Sequence, residues 1–410
     1  MLKRLSVRGF KSLYDTDVHL APLVVVFGPN AAGKSNLLEA MLLLSKLVRE
    51  RTLADAFDAA VRGYPAEAFS FTGPARGDQL RLSLEAELML RDQRRLQYRV
   101  GVIMTPETGE VGLADEYLCP LTKRGSASGN PVIELVEGEI RIRRKRKQSH
   151  PFREKPGLGH TVVSNLQYAG PHYPDFDRLR DELGAWRLVY LDPRDVMRRS
   201  QPPREVQDIG ERGEFLVPFL HRLRSSTEHR EDFRSIVRAT RAVIPNVEDI
   251  RTELVPSRGE IDLSVRQDGQ WMPARVLSEG TLRVLALCAM MANPFQRGLL
   301  AFEEPENGVH PRRIEVISRL LCNASAERQV VVSTHSPLLV GQVVQMVRSG
   351  TVNAESVSIL QCSSTPDGTR ITPFACSGPL FEEQALREAL VAAEDADLVQ
   401  ASLVRGWLDE

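Results

Sequence analysis

Leu2 to Phe10 alternates apolar with polar or basic residues, the pattern of a strand with one buried face. Gly9-Phe10-Lys11-Ser12 and Tyr14-Asp15 supply turn chemistry, and Val18 to Leu20 resumes the extended pattern. Leu23 to Phe27 is then wholly apolar and breaks at Gly28. After Ser35, Leu37, Leu38, Met41, Leu42, Leu44, Leu47 and Val48 recur at helical spacing, which predicts a helix with a broad buried face to about Arg51. Leu53 to Val61 predicts a second helix. Gln79 to Leu90 and Gln93 to Met104 read as a hairpin around Arg91-Asp92. Leu113 to Cys119 and Pro131 to Lys147 add strands, with a flexible Gly- and Ser-rich loop from Thr122 to Asn130 between them.

Further along, Phe176 to Trp186 is helical, Arg187 to Leu191 is strand-like, and Glu214 to Leu223 and Glu231 to Val243 predict two helices. Ile261 to Val265 and Trp271-Met272 flank Asp268-Gly269, a favoured hairpin turn. A strongly apolar helix runs from Leu282 to Met291. Leu299 to Phe302 and Val330 to Ser333 are short continuous apolar runs, as in buried parallel strands, and a helix follows the second to about Val347. Ser356 to Gln361 and Arg370 to Ala375 read as closing strands, and Phe381 to Val404 as an acidic helical tail.

A chain of 410 residues exceeds what one core usually holds, so a two-lobed domain or two domains is expected. The net charge of −1 means that any nucleic-acid surface must be a local patch. Five cysteines, an odd number and widely scattered, favour reduced thiols in a cytoplasm over a disulfide frame or zinc site. No long apolar region follows Met1 to Ser6, and Val284 to Ala292 is too short to span a bilayer, so a soluble cytoplasmic protein without membrane contact is expected.

The chemistry begins at Gly28-Pro29-Asn30-Ala31-Ala32-Gly33-Lys34-Ser35-Asn36, which fits G-x-x-x-x-G-K-[ST] between a strand and a helix. Such a loop turns backbone N–H groups and a helix N-terminus toward an anion. Lys34 would reach the β- and γ-phosphates of a nucleotide, and Ser35 would hold Mg²⁺. Ser278, Glu279 and Gly280 open the Leu282 helix as a cap or a second anion site. Glu303, Glu304 and Glu306 follow a buried strand, where carboxylates need a cation or a shared proton. Glu303 would hold Mg²⁺, Glu304 would orient or deprotonate an attacking water, and His335 would hydrogen-bond the γ-phosphate. Arg141, Arg143, Arg144, Lys145, Arg146 and Lys147 form a basic run that reads either as a phosphate-backbone contact or as a solvated strand end.

Together, residues 28–36, Leu277-Ser278-Glu279-Gly280-Thr281, Phe302 to Pro311 and Ser333-Thr334-His335-Ser336-Pro337 resemble the Walker A, signature, Walker B with D-loop, and H-loop of ABC-type ATPases. They are most similar to the soluble OLD-like, RecF- and SMC-related branch, and Arg8-Gly9-Phe10-Lys11-Ser12 resembles that branch's first strand. The resemblance implies an α/β ABC-ATPase head with a P-loop parallel sheet core, an antiparallel β lobe and an inserted helical subdomain. The corresponding parts are 1–160, 161–260, 261–376 and a tail, 377–410. It implies an ATPase with ATP and Mg²⁺ as cofactors, and a homodimer in which Ser278 and Gly280 touch the γ-phosphate bound to the opposite head. Asn307 to His310 would lie at that interface. A separate effector, such as a nuclease, and a setting in bacterial anti-phage defence or DNA maintenance follow from the same resemblance. So do a slow ATP-gated scaffold and a RecF-like DNA-binding ATPase as alternatives. The sequence departs from the pattern at Glu303, where the wider superfamily has aspartate. Gln167 is the candidate Q-loop glutamine, and no Toprim nuclease cluster is expected after His335.

Overall fold

The computed structural model describes residues 1–69, 80–145 and 151–374. Gln79, Arg146, Lys147 and the expected Phe381–Val404 helix lie outside the described residues. The chain packs as two units that interleave in sequence. Met1–Ala21, Gly28–Trp186 and Leu360–Pro373 form the first; Pro22–Phe27, Arg187–Ile359 and Phe374 belong to the second.

In the first unit, β1 (Leu2–Phe10) and β2 (Leu13–His19) form an antiparallel hairpin. Its turn is narrower than the sequence suggests: Tyr14 and Asp15 already lie in β2, with Asp15 paired to Arg8, and Gly9 and Lys11 adopt positive φ values of 71° and 47°. The sheet continues through β4 (Leu80–Met89), β5 (Arg95–Thr105), β6 (Glu110–Leu121), β7 (Ile133–Val136), β8 (Glu139–Ile142) and β9 (Phe152–Glu154), each antiparallel to the last. Leu82, Leu84, Ala86 and Leu88 turn one face of β4 inward, as period-two alternation requires.

Helix α1 (Lys34–Arg49) packs against α2 (Leu53–Ala60) and α3 (Pro174–Gly184) within this unit. Leu37, Leu38, Leu43, Leu44 and Leu47 are all buried, matching the broad apolar face. Two hydroxyls clamp the helix: Ser45 Oγ donates to the Leu183 carbonyl at 2.7 Å, and Thr161 Oγ1 donates to that of Leu47 at 2.8 Å. A buried carboxyl ties β6 to the segment before α3. Glu116 accepts from Tyr98 Oη at 2.9 Å and from the Val162 and Val163 amides at 2.5 and 3.2 Å. Burial nevertheless pushes its pKa up to about 7.

The second unit contains the parallel strands β10 (Arg187–Val189), β14 (Leu300–Glu303), β15 (Val330–Thr334) and β3 (Leu23–Phe27), adjacent in that order. Val357–Ile359 open β16 (Val357–Thr365), the next strand in the order, which pairs through its later residues with β17 (Gly368–Pro373) in the first unit's hairpin. Leu23 to Val26 and Val330 to Val332 are fully buried, which explains their unbroken apolar runs. Helices α6 (Glu279–Met291), α7 (Ile314–Ser325) and α8 (Pro337–Arg348) follow the motifs. A smaller antiparallel sheet, β11 (Val247–Val255), β12 (Glu260–Gln267) and β13 (Gln270–Pro273), packs on α4 (Leu216–Ser225) and α5 (Arg230–Val243). The sequence pattern gives no strand at β11, because a bulge between Val247 and Asp249 breaks the alternation of its inward residues. Among the described residues no helix is long and apolar enough to cross a membrane.

Candidate nucleotide site

The first component of the site lies in the first unit, immediately after β3. Ala31 and Gly33 adopt φ values of 64° and 94°, and Gly33 is the left-handed residue before α1, whose N-terminus carries no side-chain cap. A methyl group on Gly33 would overlap Thr369 Oγ1 and approach Ser12 Oγ to 2.9 Å, so only glycine fits. Lys34 is 8% exposed, and its Nζ donates to the Gly28 and Pro29 carbonyls at 2.8 and 2.7 Å. The ammonium is therefore folded into the loop, at the position from which it would meet phosphate oxygens.

Behind the loop stands a brace that the motif does not disclose. Asn36 Nδ2 donates to Ser12 Oγ at 2.6 Å, Ser12 Oγ shares a hydrogen bond with Thr369 Oγ1 at 2.6 Å, and Thr369 Oγ1 donates to the Ala32 carbonyl at 3.0 Å. The Thr369 amide also donates to the Ser12 carbonyl at 2.7 Å. Asn36, expected among the nucleotide-binding residues, turns its side chain into this brace.

The second component is in the second unit. Register places Glu303 opposite Ser333, and Thr334 opposite Phe27, so the carboxyl ends of β14, β15 and β3 stand side by side. This is where ligands gather in open α/β sheets. Glu304 adopts φ 49°, a left-handed conformation rare for glutamate, and its amide donates to the Ser333 carbonyl at 2.8 Å. Its carboxylate is held from both sides: Asn307 Nδ2 donates to Oε2 at 2.6 Å, and His335 Nδ1 lies 3.0 Å from Oε1. Glu304 and His335 side chains remain 32% and 47% exposed, so this pair is open to a reactant. Glu306 is buried beneath them and hydrogen-bonds Thr334 Oγ1, and burial raises its pKa. Thr334 Oγ1 in turn accepts from the Ser336 amide at 2.8 Å, fixing the backbone that follows His335.

At the third motif, Ser278 caps α6, accepting the Thr281 amide at 3.1 Å. Glu279 pairs with Arg194, Nε to Oε1 at 2.5 Å, which lowers the Glu279 pKa. Gly280 packs backbone to backbone with Gly308: a methyl on Gly280 would come within 2.7 Å of the Gly308 carbonyl oxygen. The signature and the loop after Glu304 are thus directly coupled within one unit. Gln167 is exposed, and its backbone amide donates to Asn165 Oδ1 at 3.1 Å.

Of the basic run, the described arginines are engaged within the fold. Arg141 bonds Glu137 at 2.6 Å, Arg143 bonds Glu134, and Arg144 lies 4.5 Å over Phe152 while donating to Tyr173 Oη at 2.9 Å. Sequence reasoning missed Ser12 and Thr369 because they are 357 positions apart. Glu306 and Gly308, by contrast, lie inside a motif already singled out, and their roles emerge only from packing. Nothing near Arg194 in sequence signals its pairing with Glu279.

Comparison with known proteins places the chain in a family. Residues 23–341 match the family model described as "AAA domain, putative AbiEii toxin, Type IV TA system". The chain is 24% identical over 353 residues to the OLD nuclease of Thermus scotoductus, covering 82% of this chain and 59% of that protein. It thus spans less than two thirds of that relative's length. It is 34% identical over 318 residues to the DNA replication and repair protein RecF of Gloeobacter violaceus, covering 71% of this chain and 79% of RecF. Among solved structures, an Smc head bound to the C-winged helix domain of ScpA aligns with a TM-score of 0.53 at 12% identity, covering 91% of this chain and 98% of that one. An Smc head with an extended coiled coil, bound to the C-terminal domain of ScpA from Pyrococcus furiosus, gives 0.50 at 10% identity, covering 95% and 98%. At these identities the structures share the fold alone. The extent of the family match and the RecF identity carry the conclusion that the chain belongs to this AAA-domain family of ATPases, on the ABC-type branch related to OLD and RecF, and it shares the fold of the Smc heads.

Proposed function

We propose that this ATPase hydrolyses Mg-ATP between two copies of itself and uses the cycle to control a separate effector. The observation that carries the proposal is the row of strand ends at β14, β15 and β3, with Glu304 held in a strained backbone by His335 and Asn307. The residues suit the ligands: an uncapped helix N-terminus and a buried lysine for phosphates, and hard oxygen donors for magnesium. Residues 28–36 bind the phosphates, and Lys34 neutralises charge at the β- and γ-positions. Ser35 and Glu303 would hold Mg²⁺, Glu303 directly or through its waters. Bound there, Mg²⁺ supplies charge neutralisation on the β- and γ-oxygens. Glu304 orients the attacking water and accepts its proton, and His335 fixes the carboxylate and hydrogen-bonds the γ-phosphate.

Ser278, Glu279 and Gly280 complete the site of the opposite copy, with the α6 N-terminus facing its γ-phosphate. The Gly280–Gly308 contact then gives each site a route to the other, since Gly308 follows Glu304 by four residues. The descriptions of the OLD nuclease and RecF relatives support a setting in DNA maintenance with a nuclease as the class of effector, and the motif resemblance adds anti-phage defence as a setting. The test is phosphate release with Mg²⁺ and with EDTA. Wild type should turn over only with Mg²⁺, and Glu304→Gln should lose activity by roughly a hundredfold or more. Equal rates in the two proteins would reject Glu304 as the catalytic carboxylate.

A second reading, a slow ATP-gated scaffold, draws on the double tether of Glu304 and on Glu303 in place of aspartate. It predicts ATP-dependent assembly at negligible turnover, which light scattering beside the phosphate assay distinguishes.

A further inference from the structure

A cleft of about 660 Å³ lies in the second unit between α5, the end of α4, β11 and β13, and none of the motifs above touches it. Arg224, Arg230, Arg234, Arg238 and Arg251 line it, with Trp271 on its rim and Asp249 as its one carboxylate. For a chain of net charge −1, this is a strong local concentration of positive charge.

The arrangement follows from the helix. Phe233, Ile236, Thr240 and Val243 of α5 are buried, leaving Arg230, Arg234 and Arg238 exposed at four-residue spacing. Four residues advance a helix by ~6 Å, so these guanidiniums form a ladder along one face. The charges are only partly offset. Glu231, 63% exposed, bonds Arg238 at 2.8 Å and reaches Arg234 at 3.4 Å, and Glu253 lies 3.7 Å from Arg251. Arg224 donates to a neutral acceptor, the Thr252 carbonyl. Among the described residues the Arg230 side chain has no ion-pair or hydrogen-bond partner. The Arg251 guanidinium lies 4.7 Å from the Trp271 ring centroid, and that indole is 38% exposed.

We propose that this cleft binds a segment of single-stranded polynucleotide, with phosphates on the α5 arginine ladder and a base stacked on Trp271. A repeated row of planar guanidiniums suits a repeated anion better than a single one, and each fork can grip a phosphate through two N–H groups. An exposed indole steadied by an arginine offers a π-face that any base can use. An acidic peptide would meet the charges and leave the indole without a planar partner. The site is separate from the nucleotide motifs and does not depend on the reading of ATP hydrolysis.

The experiment is fluorescence anisotropy of a labelled oligothymidylate over a series of salt concentrations, using the full chain. Wild type should bind, with log K falling linearly in log salt. The triple substitution Arg230→Glu, Arg234→Glu and Arg238→Glu should weaken binding roughly tenfold or more and flatten the slope by about 2, at ~0.7 for each phosphate no longer neutralised. Trp271→Ala should weaken binding about five- to hundredfold, whereas Trp271→Phe should retain most of it. Thermal melting and ATP turnover serve as fold checks, and neither should change, since these residues are remote in role from the motifs. No binding by wild type, an unchanged slope in the triple variant, or equal loss in Trp271→Ala and Trp271→Phe would overturn the proposal. So would displacement of the oligonucleotide by polyglutamate at equal charge concentration, which would indicate an acidic-protein surface instead.

Discussion

Replacing Thr369 with valine keeps the side chain's shape and deletes one hydroxyl from behind the phosphate loop. That hydroxyl bonds Ser12 Oγ at 2.6 Å and the Ala32 carbonyl at 3.0 Å. The backbone bond from the Thr369 amide to Ser12, at 2.7 Å, survives the change, so the hairpin stays attached. Ser12 also keeps its bond from Asn36, while the Ala32 carbonyl loses its side-chain donor. At ~1 kcal/mol for each partly buried neutral bond, the loss is about 1–2 kcal/mol. Because one of the two bonds ends on the loop itself, much of that loss should appear as poorer preorganisation for phosphate. The expected result is about five- to thirtyfold weaker binding of a fluorescent ATP analogue. Thermal stability should fall by only about 2–4 °C per kcal/mol. Ser364→Ala, an exposed change on the same hairpin, should leave affinity unaltered. Affinity within about twofold of wild type in Thr369→Val would refute the brace, because the hydroxyl would then serve the fold and not the loop.

Gly280→Ala introduces a methyl within 2.7 Å of the Gly308 carbonyl oxygen, and overpacking of this kind costs about 1–3 kcal/mol. Turnover should drop roughly tenfold or more while nucleotide binding to the loop persists, as steady-state kinetics beside a binding titration will show. Asn307→Ala frees one oxygen of Glu304, and kcat should fall about tenfold with KM nearly constant. Glu116 predicts a pH effect on stability. Its folded-state pKa of about 7 lies above the ordinary 4.5, so in that window the folded chain holds a proton that the unfolded chain has released. Its contribution is complete below about pH 4.5 and is lost as pH rises to 7, to the extent of about 3 kcal/mol. Urea unfolding should show wild type losing stability across that range relative to Glu116→Gln. Parallel pH profiles for the two proteins would contradict the assignment.

The parallel core was readable because strands buried on both faces leave unbroken apolar runs, as at Leu23 to Phe27 and Val330 to Val332. The phosphate loop was readable because its glycines and Lys34-Ser35 answer to one ligand and one local geometry. The brace was hidden because Ser12 and Thr369 are ordinary polar residues that acquire meaning only through a contact across nearly the whole chain. Strand β11 was hidden by its bulge, and the arginine ladder by its ordinary appearance as the solvated face of an amphipathic helix. The basic run at Arg141 drew attention by its density, yet Arg141, Arg143 and Arg144 are engaged by neighbouring carboxylates and rings. Charge density in sequence and available charge on the fold are different quantities.

The central claim is that each site is completed by a second copy, and mixing two inactive variants tests it most directly. Lys34→Ala disables the phosphate loop and keeps the signature; Ser278→Arg blocks the signature and keeps the loop. A mixed pair contains one intact combination, the loop of one chain with the signature of the other. Each variant alone should be inactive, and Mg-dependent phosphate release should return on mixing, saturating below the wild-type rate. Turnover by Ser278→Arg alone at the wild-type rate, or no recovery in a mixture shown by light scattering to form the pair, would contradict it.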